Sequence, residues 1–249
     1  MESDLFLTRQ SEKGANVSRS ADPKAKIQLL RAAEEVFALK GFAGAKIEDI
    51  TKLAGLSKGA FYLHFESKDA VLKHLVESFL ARCKTFFAPP SDYPDLPEDP
   101  DALLDFSLER DTQIYEFLWQ NRTVMAILQG CQGEFDYLVE GFRADIHARC
   151  REWIEHWKRE GLFRPEVDAD LAATLMSGAY NELTIKLLKS ERRPPFDEWL
   201  GFSLETFVRG YGSPELIAAM ERRNRRVNTG IQAIPRGITA RRSLQRGRI

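Results

Sequence analysis

The side chains best suited to contact a nucleic acid lie in one short segment, between Ile47 and Phe65. This segment divides into two short helical stretches joined by a turn of about three residues, which is the spacing of a helix-turn-helix. Small residues let a backbone approach base edges in a major groove, a lysine donates to guanine or phosphate, and a tyrosine hydroxyl reaches phosphate oxygens. The second stretch presents such side chains outward: Ser57, Lys58, Gly59, Ala60, Tyr62 and Leu63.

Such a motif requires that its two short helices keep a fixed angle. Gly55 permits the positive φ that a sharp turn between them needs. The residues predicted to point inward and lock the helices are Ile47, Ile50, Leu53, Ala54, Leu56 and Phe61. A longer helix precedes them, with Asp22 as the predicted N-cap, Pro23 as the first helical residue and Gly41 as the stop. The sequence therefore predicts a three-helix DNA-binding domain over residues 22–66.

Residues 22–79 resemble the DNA-binding domain of the tetracycline repressor (TetR) family of transcriptional regulators. The residues that carry the resemblance are Ala32, Ala33, Phe37, Gly41, Phe42, Asp49, Ile50, Ala54, Gly55, Leu56, Ser57, Lys58, Gly59, Tyr62, His64, Phe65, Lys68, Val71 and Leu72. The resemblance implies that Ser57–Leu63 enters a major groove, and that Tyr62, Lys58 and Lys68 fix this helix on the DNA backbone. It makes His64 a helix-end or backbone-contact residue.

The sequence departs from the family pattern just before the second helix. The family commonly has two threonines there, whereas this chain has Ala45 and Lys46. A threonine hydroxyl caps the helix, so its loss is expected to weaken the cap by about 1 kcal/mol. Lys46 is instead a candidate for a phosphate contact of another kind.

The rest of the chain also follows a helical pattern. A loop is predicted over residues 88–101, because five of the eleven prolines lie there and proline cannot continue a helix. Ser57 is the predicted N-cap of the second short helix, and Ser67 is the predicted N-cap of a fourth helix. Further helices are predicted at about 101–120, 122–131, 134–160, 168–190 and 196–211. The predicted fold class is all-α, with an N-terminal helix-turn-helix domain followed by a helical ligand-binding and dimerisation domain over residues 67–220.

The resemblance implies that this second domain holds a small-molecule effector in a mostly apolar cavity and pairs with a second subunit. Candidate effector contacts are Gln113, Trp119, Asn121, Met125, His147, Met176, Tyr180 and Asn181. The pairing would use the helices at about 168–190 and 196–211 as a four-helix bundle. Two apolar stripes indicate the interface: Leu171, Leu175, Ala179, Leu183 and Leu187 on the first helix, and Leu200, Leu204, Phe207 and Tyr211 on the second. Burial of both stripes within one chain is the alternative.

Charge is distributed unevenly along the chain. The whole chain carries a net charge of −1, but residues 22–85 carry +3, residues 86–220 carry −12, and residues 221–249 carry +8. The acidic middle is expected to keep that domain away from DNA. The arginine-rich tail over 221–249 is predicted to be disordered after a short helix, and residues 1–21 to be a flexible lead-in. The tail can add phosphate contacts, bind an acidic partner or have no role.

Composition and spacing argue against several other classes of protein. Three cysteines without a C-x-x-C pair favour a reducing cytoplasm over a disulfide-linked or zinc-thiolate fold. No apolar run reaches the roughly 18 residues of a membrane span, and no signal peptide is evident. His147, Cys150, Glu152 and His156 share one predicted helix, but the two histidines lie on nearly opposite faces. Neither a metal site, a cofactor nor a catalytic residue is therefore predicted.

The predicted function is that of a cytoplasmic, homodimeric regulator that binds a palindromic operator in double-stranded DNA. Repression, relieved or altered by a small-molecule effector, is favoured over activation. Three alternatives remain open: a non-specific architectural DNA binder driven by the arginine-rich tail, a helical-bundle metalloenzyme built around His147–His156, and a regulator that lacks an effector. The sequence identifies neither the effector nor the operator.

Overall fold

The computed structural model of the chain describes residues 22–130, 133 and 136–228. Within these ranges the chain forms ten α-helices and no β-strand, so the predicted all-α class is confirmed. The helices are α1 (Pro23–Gly44), α2 (Ile47–Ala54), α3 (Lys58–Tyr62), α4 (Lys68–Phe86), α5 (Pro100–Gln120), α6 (Arg122–Gly130), α7 (Asp136–Arg159), α8 (Ala169–Leu188), α9 (Phe196–Tyr211) and α10 (Pro214–Asn228). In the part of the chain so described, no helix is long and apolar enough to cross a bilayer.

Side-chain caps fix where the N-terminal helices begin. The Asp22 carboxylate accepts the Lys24 N–H at 2.9 Å, the Ser57 hydroxyl accepts the Ala60 N–H at 3.1 Å, and the Ser67 hydroxyl accepts the Ala70 N–H at 3.1 Å. Each bond satisfies a donor that the first turn of a helix leaves unpaired. These three caps are the ones that the sequence predicted. At the other end of α1, Gly41 leaves helical geometry with φ +69°, as its predicted role of helix stop requires.

The main hydrophobic core joins the DNA-binding helices to the rest of the protein. Phe37, Ile50, Phe61 and Leu72 are almost completely buried, and their core cluster continues through α4, α5 and α6 to Leu187 on α8. Helix α6 packs directly on α1. A second core cluster lies around Trp153, Ile154, Phe207 and Met220 on α7, α9 and α10. Because the first cluster is continuous, side chains from before and after the predicted domain boundary at residue 66 pack in one core.

The apolar stripe predicted on α9 proves to be mostly internal. Leu200 is 1% exposed and Phe207 is 8% exposed, because that face of α9 packs against α5 in the same chain. Leu187 on α8 is likewise buried. The prediction that these three residues face a second subunit is therefore wrong. Apolar residues that recur every 3.6 positions show that a helix has an apolar face. They do not distinguish a face that is buried within one chain from a face that is buried between two chains.

Other apolar residues on the same two helices remain on the surface. Leu171 and Leu175 on α8 are 63% and 61% exposed, and Phe202 on α9 is 75% exposed. Gly178, one turn beyond Leu175, is exposed as well. We call Leu171, Leu175 and Phe202 the α8–α9 patch.

Helix α10 extends into the segment that the sequence assigned to the arginine-rich tail. Its apolar face, including Leu216, Ala219 and Met220, is buried in the second core cluster. Its arginines contact acidic residues near the start of α5: Arg222 and Arg226 pair with Asp101, and Arg223 pairs with Asp105. Residues 221–228 are therefore helical and packed, which agrees with the short helix predicted at the start of the tail. Residues 1–21 and 229–249 lie outside the described residues.

The proline-rich connection between α4 and α5 forms no α-helix, as predicted, and contains one short 3₁₀ turn over Pro90–Asp92. It packs on α7, because the Trp153 indole N–H donates to the Ala88 carbonyl at 3.0 Å and the Tyr93 ring lies 5.6 Å from the Trp153 ring. The loop thus covers one side of the second domain.

Candidate DNA-binding surface and ligand cavity

The turn between α2 and α3 has the geometry of a helix-turn-helix. Gly55 adopts the left-handed conformation with φ +68°, and the Leu56 N–H donates to the Thr51 carbonyl at 2.9 Å to close the end of α2. Ile50 and Phe61 are completely buried between the helices. The predicted locking residues therefore do hold α3 in place, with one correction: Leu53 is 47% exposed and lies on the outer side of α2.

The N-terminus of α2 receives its cap from within the helix. Lys46 is exposed, and its side chain makes no capping hydrogen bond, as the sequence predicted. The Asp49 carboxylate instead accepts the Lys46 backbone N–H at 3.2 Å, which is one half of a capping box. Asp49 also pairs with Lys40 at 2.7 Å, and this contact is the main reason why its pKa lies below the ordinary value.

The outer face of α3 is open and carries the side chains predicted to contact DNA. Tyr62 and Leu63 are 57% and 51% exposed. Gly59, near the N-terminus of the helix, is exposed as well. The Ser57 hydroxyl is engaged as the N-cap, whereas Ala60 is half-buried. His64 is also half-buried, at the end of the helix beside Phe65.

Lys58, the basic residue of this face, is paired with Glu48 on α2. The two side chains are each 56% exposed. The contact raises the pKa of Lys58 and lowers the pKa of Glu48, because each charge favours the charged form of the other. An exposed pair of this kind exchanges readily for another partner. To contact DNA, Lys58 would therefore have to give up its contact with Glu48.

Lys68 occupies a different place from the one that the sequence predicted. Its ammonium donates to the carbonyls of Phe42, Ala43 and Ala45, at 2.8, 3.4 and 3.2 Å, and lies 4.6 Å from the centre of the Phe42 ring. All three ammonium protons therefore have acceptors at the C-terminal end of α1. This arrangement ties α4 to α1 and leaves no donor for phosphate, so we assign Lys68 a structural role.

Replacement of Lys68 by methionine is expected to lower the free energy of unfolding by about 2 kcal/mol, because hydrogen bonds to a charged group each contribute more than neutral ones. Urea unfolding followed by circular dichroism measures this change. Lys73→Met on the same helix is the matched control, since Lys73 is half-exposed and its contact with Glu77 is 3.9 Å long. Unchanged stability of Lys68→Met, together with a shallower salt dependence of DNA binding, would restore the phosphate-contact role.

A cavity of about 700 Å³ lies in the second domain, among α4, α5, α6, α7 and α8. This volume is within the range of small-molecule binding sites. Most of its wall is apolar and aromatic. Four of the predicted effector contacts line it, namely Met125, Met176, Tyr180 and Asn181, and four do not.

The other four predicted contacts have partners elsewhere. Asn121 donates to the Phe117 carbonyl at 2.7 Å at the end of α5, and Gln113 donates to Glu109. Trp119 stacks under the Arg122 guanidinium, and His147 contacts Thr174 at 3.2 Å. Helix periodicity alone does not determine which face of a long helix borders a cavity.

The polar centre of the cavity wall is a buried cluster, of which the sequence predicted only Tyr180. The Arg110 guanidinium donates to Oδ1 of Asp111 at 3.1 Å, and the Tyr180 hydroxyl donates to Oδ2 at 2.6 Å. The Tyr115 hydroxyl donates to the Tyr180 backbone carbonyl at 2.8 Å. Burial, and then the Asp111 carboxylate, raise the pKa of Tyr180, which keeps it a neutral donor. The available signal was an adjacent Arg-Asp pair within an otherwise amphipathic helix.

The described residues give no support to a metal or catalytic site. Among them, no group of three His, Cys, Asp or Glu side chains has a metal-binding arrangement. Burial raises the pKa of Cys83 to about 12 and of Cys150 to about 11, so both thiols stay protonated and unreactive. On α7, His147 contacts Thr174, and His156 lies against Trp153.

Comparisons with known proteins agree with this geometry. Residues 29–75 match the model of the bacterial regulatory proteins, tetR family. The chain is 26% identical to the uncharacterised HTH-type transcriptional regulator YdgC of Bacillus subtilis, over 71% of this chain and 88% of that protein. It is 21% identical to the HTH-type transcriptional repressor DhaR of a Mycobacterium species, over 72% and 90% of the two chains.

A solved structure, the complex of SmeT from Stenotrophomonas maltophilia with triclosan, has the same fold with a TM-score of 0.58. It is 19% identical and covers 78% of this chain and 94% of its own. Since the family model spans the helix-turn-helix and the relatives that align over most of their length are HTH-type transcriptional regulators, the DNA-binding region of the chain, residues 29–75, is that of the bacterial regulatory proteins of the tetR family.

Proposed function

We propose that this protein is a sequence-specific, homodimeric DNA-binding regulator, and that it acts as a repressor whose operator affinity changes when a small molecule fills the cavity. The observation that carries the proposal is the outer face of α3, which is exposed while the inner face is locked by Phe61. Such a helix is rigid enough to enter a major groove and presents Lys58, Tyr62 and Leu63 to it. The kinship with the repressor DhaR supports repression.

The proposed dimer forms through the α8–α9 patch. Large apolar side chains that are more than half exposed on two adjacent helices are what a two-fold interface would cover. A dimer places two copies of α3 on half-sites about one helical turn apart, roughly 34 Å. The operator is therefore expected to be a palindrome, and the cytoplasm, where the DNA lies, is the expected location.

Packing suggests how the cavity communicates with α3. Phe79, Leu80 and Cys83 of α4 line the cavity, and so do Met125 and Leu128 of α6. Helix α6 packs on α1, and Lys68 ties the start of α4 to the end of α1. A ligand that fits one arrangement of α4 and α6 better than another would therefore move the DNA-binding helices toward that arrangement. The resulting change in the equilibrium between the two arrangements cannot exceed the ligand's difference in binding free energy for them.

The proposal is tested by fluorescence anisotropy with DNA that flanks the gene of this protein, in a series of salt concentrations and with random DNA as competitor. Binding that resists the competitor is expected. Weak binding with a steep salt dependence, equal for all sequences, would favour the non-specific alternative. The non-specific alternative requires the positive charge of the tail to bind phosphate. Part of that charge is already paired with acidic residues of α5, through Arg222, Arg223 and Arg226.

Neutralising Glu48 is expected to strengthen DNA binding, because Glu48→Gln releases Lys58 and removes a negative charge beside the groove-entering helix. The operator affinity should rise about threefold to tenfold, and the salt dependence should steepen by about one unit of logarithmic slope. Anisotropy measures both quantities. Glu66→Gln is the matched control, since Glu66 is exposed beyond the end of α3. Unchanged affinity in Glu48→Gln would mean that Lys58 does not reach the DNA.

A further inference from the structure

We infer that the cavity selects an uncharged, ring-containing ligand that carries a hydrogen-bond-accepting oxygen, and that it discriminates against anions and cations of the same shape. The inference deepens the proposed effector function and rests on it. Three features of the wall carry the inference: a buried ion pair whose charges are already matched, a buried indole N–H without an acceptor, and an aromatic lining.

The ion pair makes the deep wall electrically neutral. The Arg110 side chain is 19% exposed and the Asp111 side chain is 10% exposed, and they contact each other at 3.1 Å. Each Asp111 oxygen already accepts one bond, from Arg110 or from Tyr180. A ligand carboxylate would therefore meet an arginine that is already neutralised, and a ligand ammonium would meet a carboxylate that is already satisfied. Either ion would lose its hydration without gaining an uncompensated partner.

The remaining charges of the lining do not alter this balance. Arg149 pairs with Glu152 at 2.7 Å. Asp136, Glu140 and Arg143 are exposed at the rim on α7, where water screens them.

The deep wall offers donors to an uncharged head group. Trp157 lines the cavity and is only 7% exposed, yet among the described residues its indole Nε1 is the buried side-chain polar atom that lacks a hydrogen-bond partner. Its neighbour Trp153, by contrast, donates to Ala88. The Arg110 guanidinium lies 4.8 Å from the centre of the Trp153 ring, and Trp153 lies 5.4 Å from Trp157. Arg110 has five N–H donors, of which Asp111 uses two. A carbonyl oxygen placed within reach of both side chains would thus accept from two donors.

The rest of the wall matches a flat ring system. Besides Tyr180 on α8, aromatic side chains from α4, α5 and α7 line it: Phe79, Phe86, Tyr115, Phe142, Trp153 and Trp157. Rings pack on one another in offset or edge-to-face geometry, so a ligand with fused rings would gain contacts on both of its faces.

Four probes of nearly equal shape test the selectivity: fluorenone, fluorene, fluorenecarboxylate and fluorenylammonium. Isothermal titration calorimetry with the full-length protein measures each affinity at neutral pH. Fluorenone is expected to bind at least about tenfold more tightly than either ion, and more tightly than fluorene, which has no acceptor. Equal or tighter binding of an ion, or no binding of fluorenone at its solubility limit, would overturn the inference.

Two conservative variants assign the selectivity to named groups. Trp157→Phe keeps an aromatic ring but removes the N–H, so fluorenone should lose about fivefold in affinity while fluorene is unchanged. Asp111→Asn keeps an acceptor for Tyr180 but leaves the Arg110 charge unmatched, so fluorenecarboxylate should gain about tenfold while fluorenone is little affected. Loss of all binding in both variants, with thermal unfolding unchanged, would contradict the assigned roles.

Operator binding measured on the same preparation separates this inference from the proposed function. A protein that binds its operator but shows no preference for fluorenone contradicts only the inference. A protein that binds fluorenone selectively, but binds all DNA sequences equally, contradicts the proposed regulator and leaves the cavity assignment intact.

Discussion

Replacing both Leu171 and Leu175 by glutamate is expected to convert the proposed dimer to a monomer and to weaken operator binding by roughly a hundredfold. The two leucines are the exposed apolar residues of α8, at 63% and 61%. In the proposed two-fold interface four glutamates would come together in place of four leucines, so charge repulsion and desolvation would both oppose pairing. A monomer holds one half-site at a time and loses the gain in affinity that comes from linked binding.

Sedimentation equilibrium measures the mass, and anisotropy measures the operator affinity. Leu39→Glu is the control for mass, because Leu39 is 76% exposed on α1, outside the α8–α9 patch. Because Leu171 and Leu175 are exposed within one subunit, the isolated subunit should remain folded, with helical circular dichroism retained. If the doubly substituted protein remains a dimer, pairing does not use α8, and the proposed arrangement of the two α3 helices is wrong.

Phe61→Ala is expected to lower the free energy of unfolding by about 3–5 kcal/mol, as other large-to-small changes in cores do. Phe61 is completely buried, and its ring lies 6.0 Å from the ring of Phe65. Its removal leaves a cavity in the cluster that joins α3 to α1 and α4. Because this cluster continues into the second domain, urea unfolding should shift for the whole protein. Loss of the signal from α3 alone would indicate that the DNA-binding domain unfolds independently.

Leu63→Ala is the matched comparison for Phe61→Ala. Leu63 follows α3 directly but is 51% exposed, so its truncation should change the free energy of unfolding by no more than about 0.5 kcal/mol. Operator affinity should nevertheless fall, since Leu63 belongs to the face that is proposed to enter the groove. A variant that keeps both its stability and its operator affinity would remove Leu63 from the DNA-binding surface.

Local features of the sequence predicted the DNA-binding domain well. The caps at Asp22, Ser57 and Ser67 and the left-handed turn at Gly55 depend on residues within a few positions of each other. Their physical cause is local: a short polar side chain satisfies a nearby N–H, and glycine alone tolerates a positive φ at little cost. The exposed face of α3 followed from the same spacing, because burial of Ile50 and Phe61 determines which side of a short helix remains outside.

Long-range contacts decided what the sequence did not show. Lys68 bonds to carbonyls more than twenty residues away, and Arg222 pairs with Asp101 across 121 positions. The α9 stripe packs against α5, which leaves Phe202 on the surface.

By itself, then, the sequence determined the all-α class, the helix-turn-helix and the side of α3 that is exposed, because caps, turns and helical periodicity act over a few residues. Only the tertiary structure decided which apolar faces are internal, which cations are free, and that Arg110, Asp111 and Tyr180 meet in the wall of a cavity. The physical reason is that a helix face acquires its surroundings from whichever helix packs on it, and that partner is set by the whole fold.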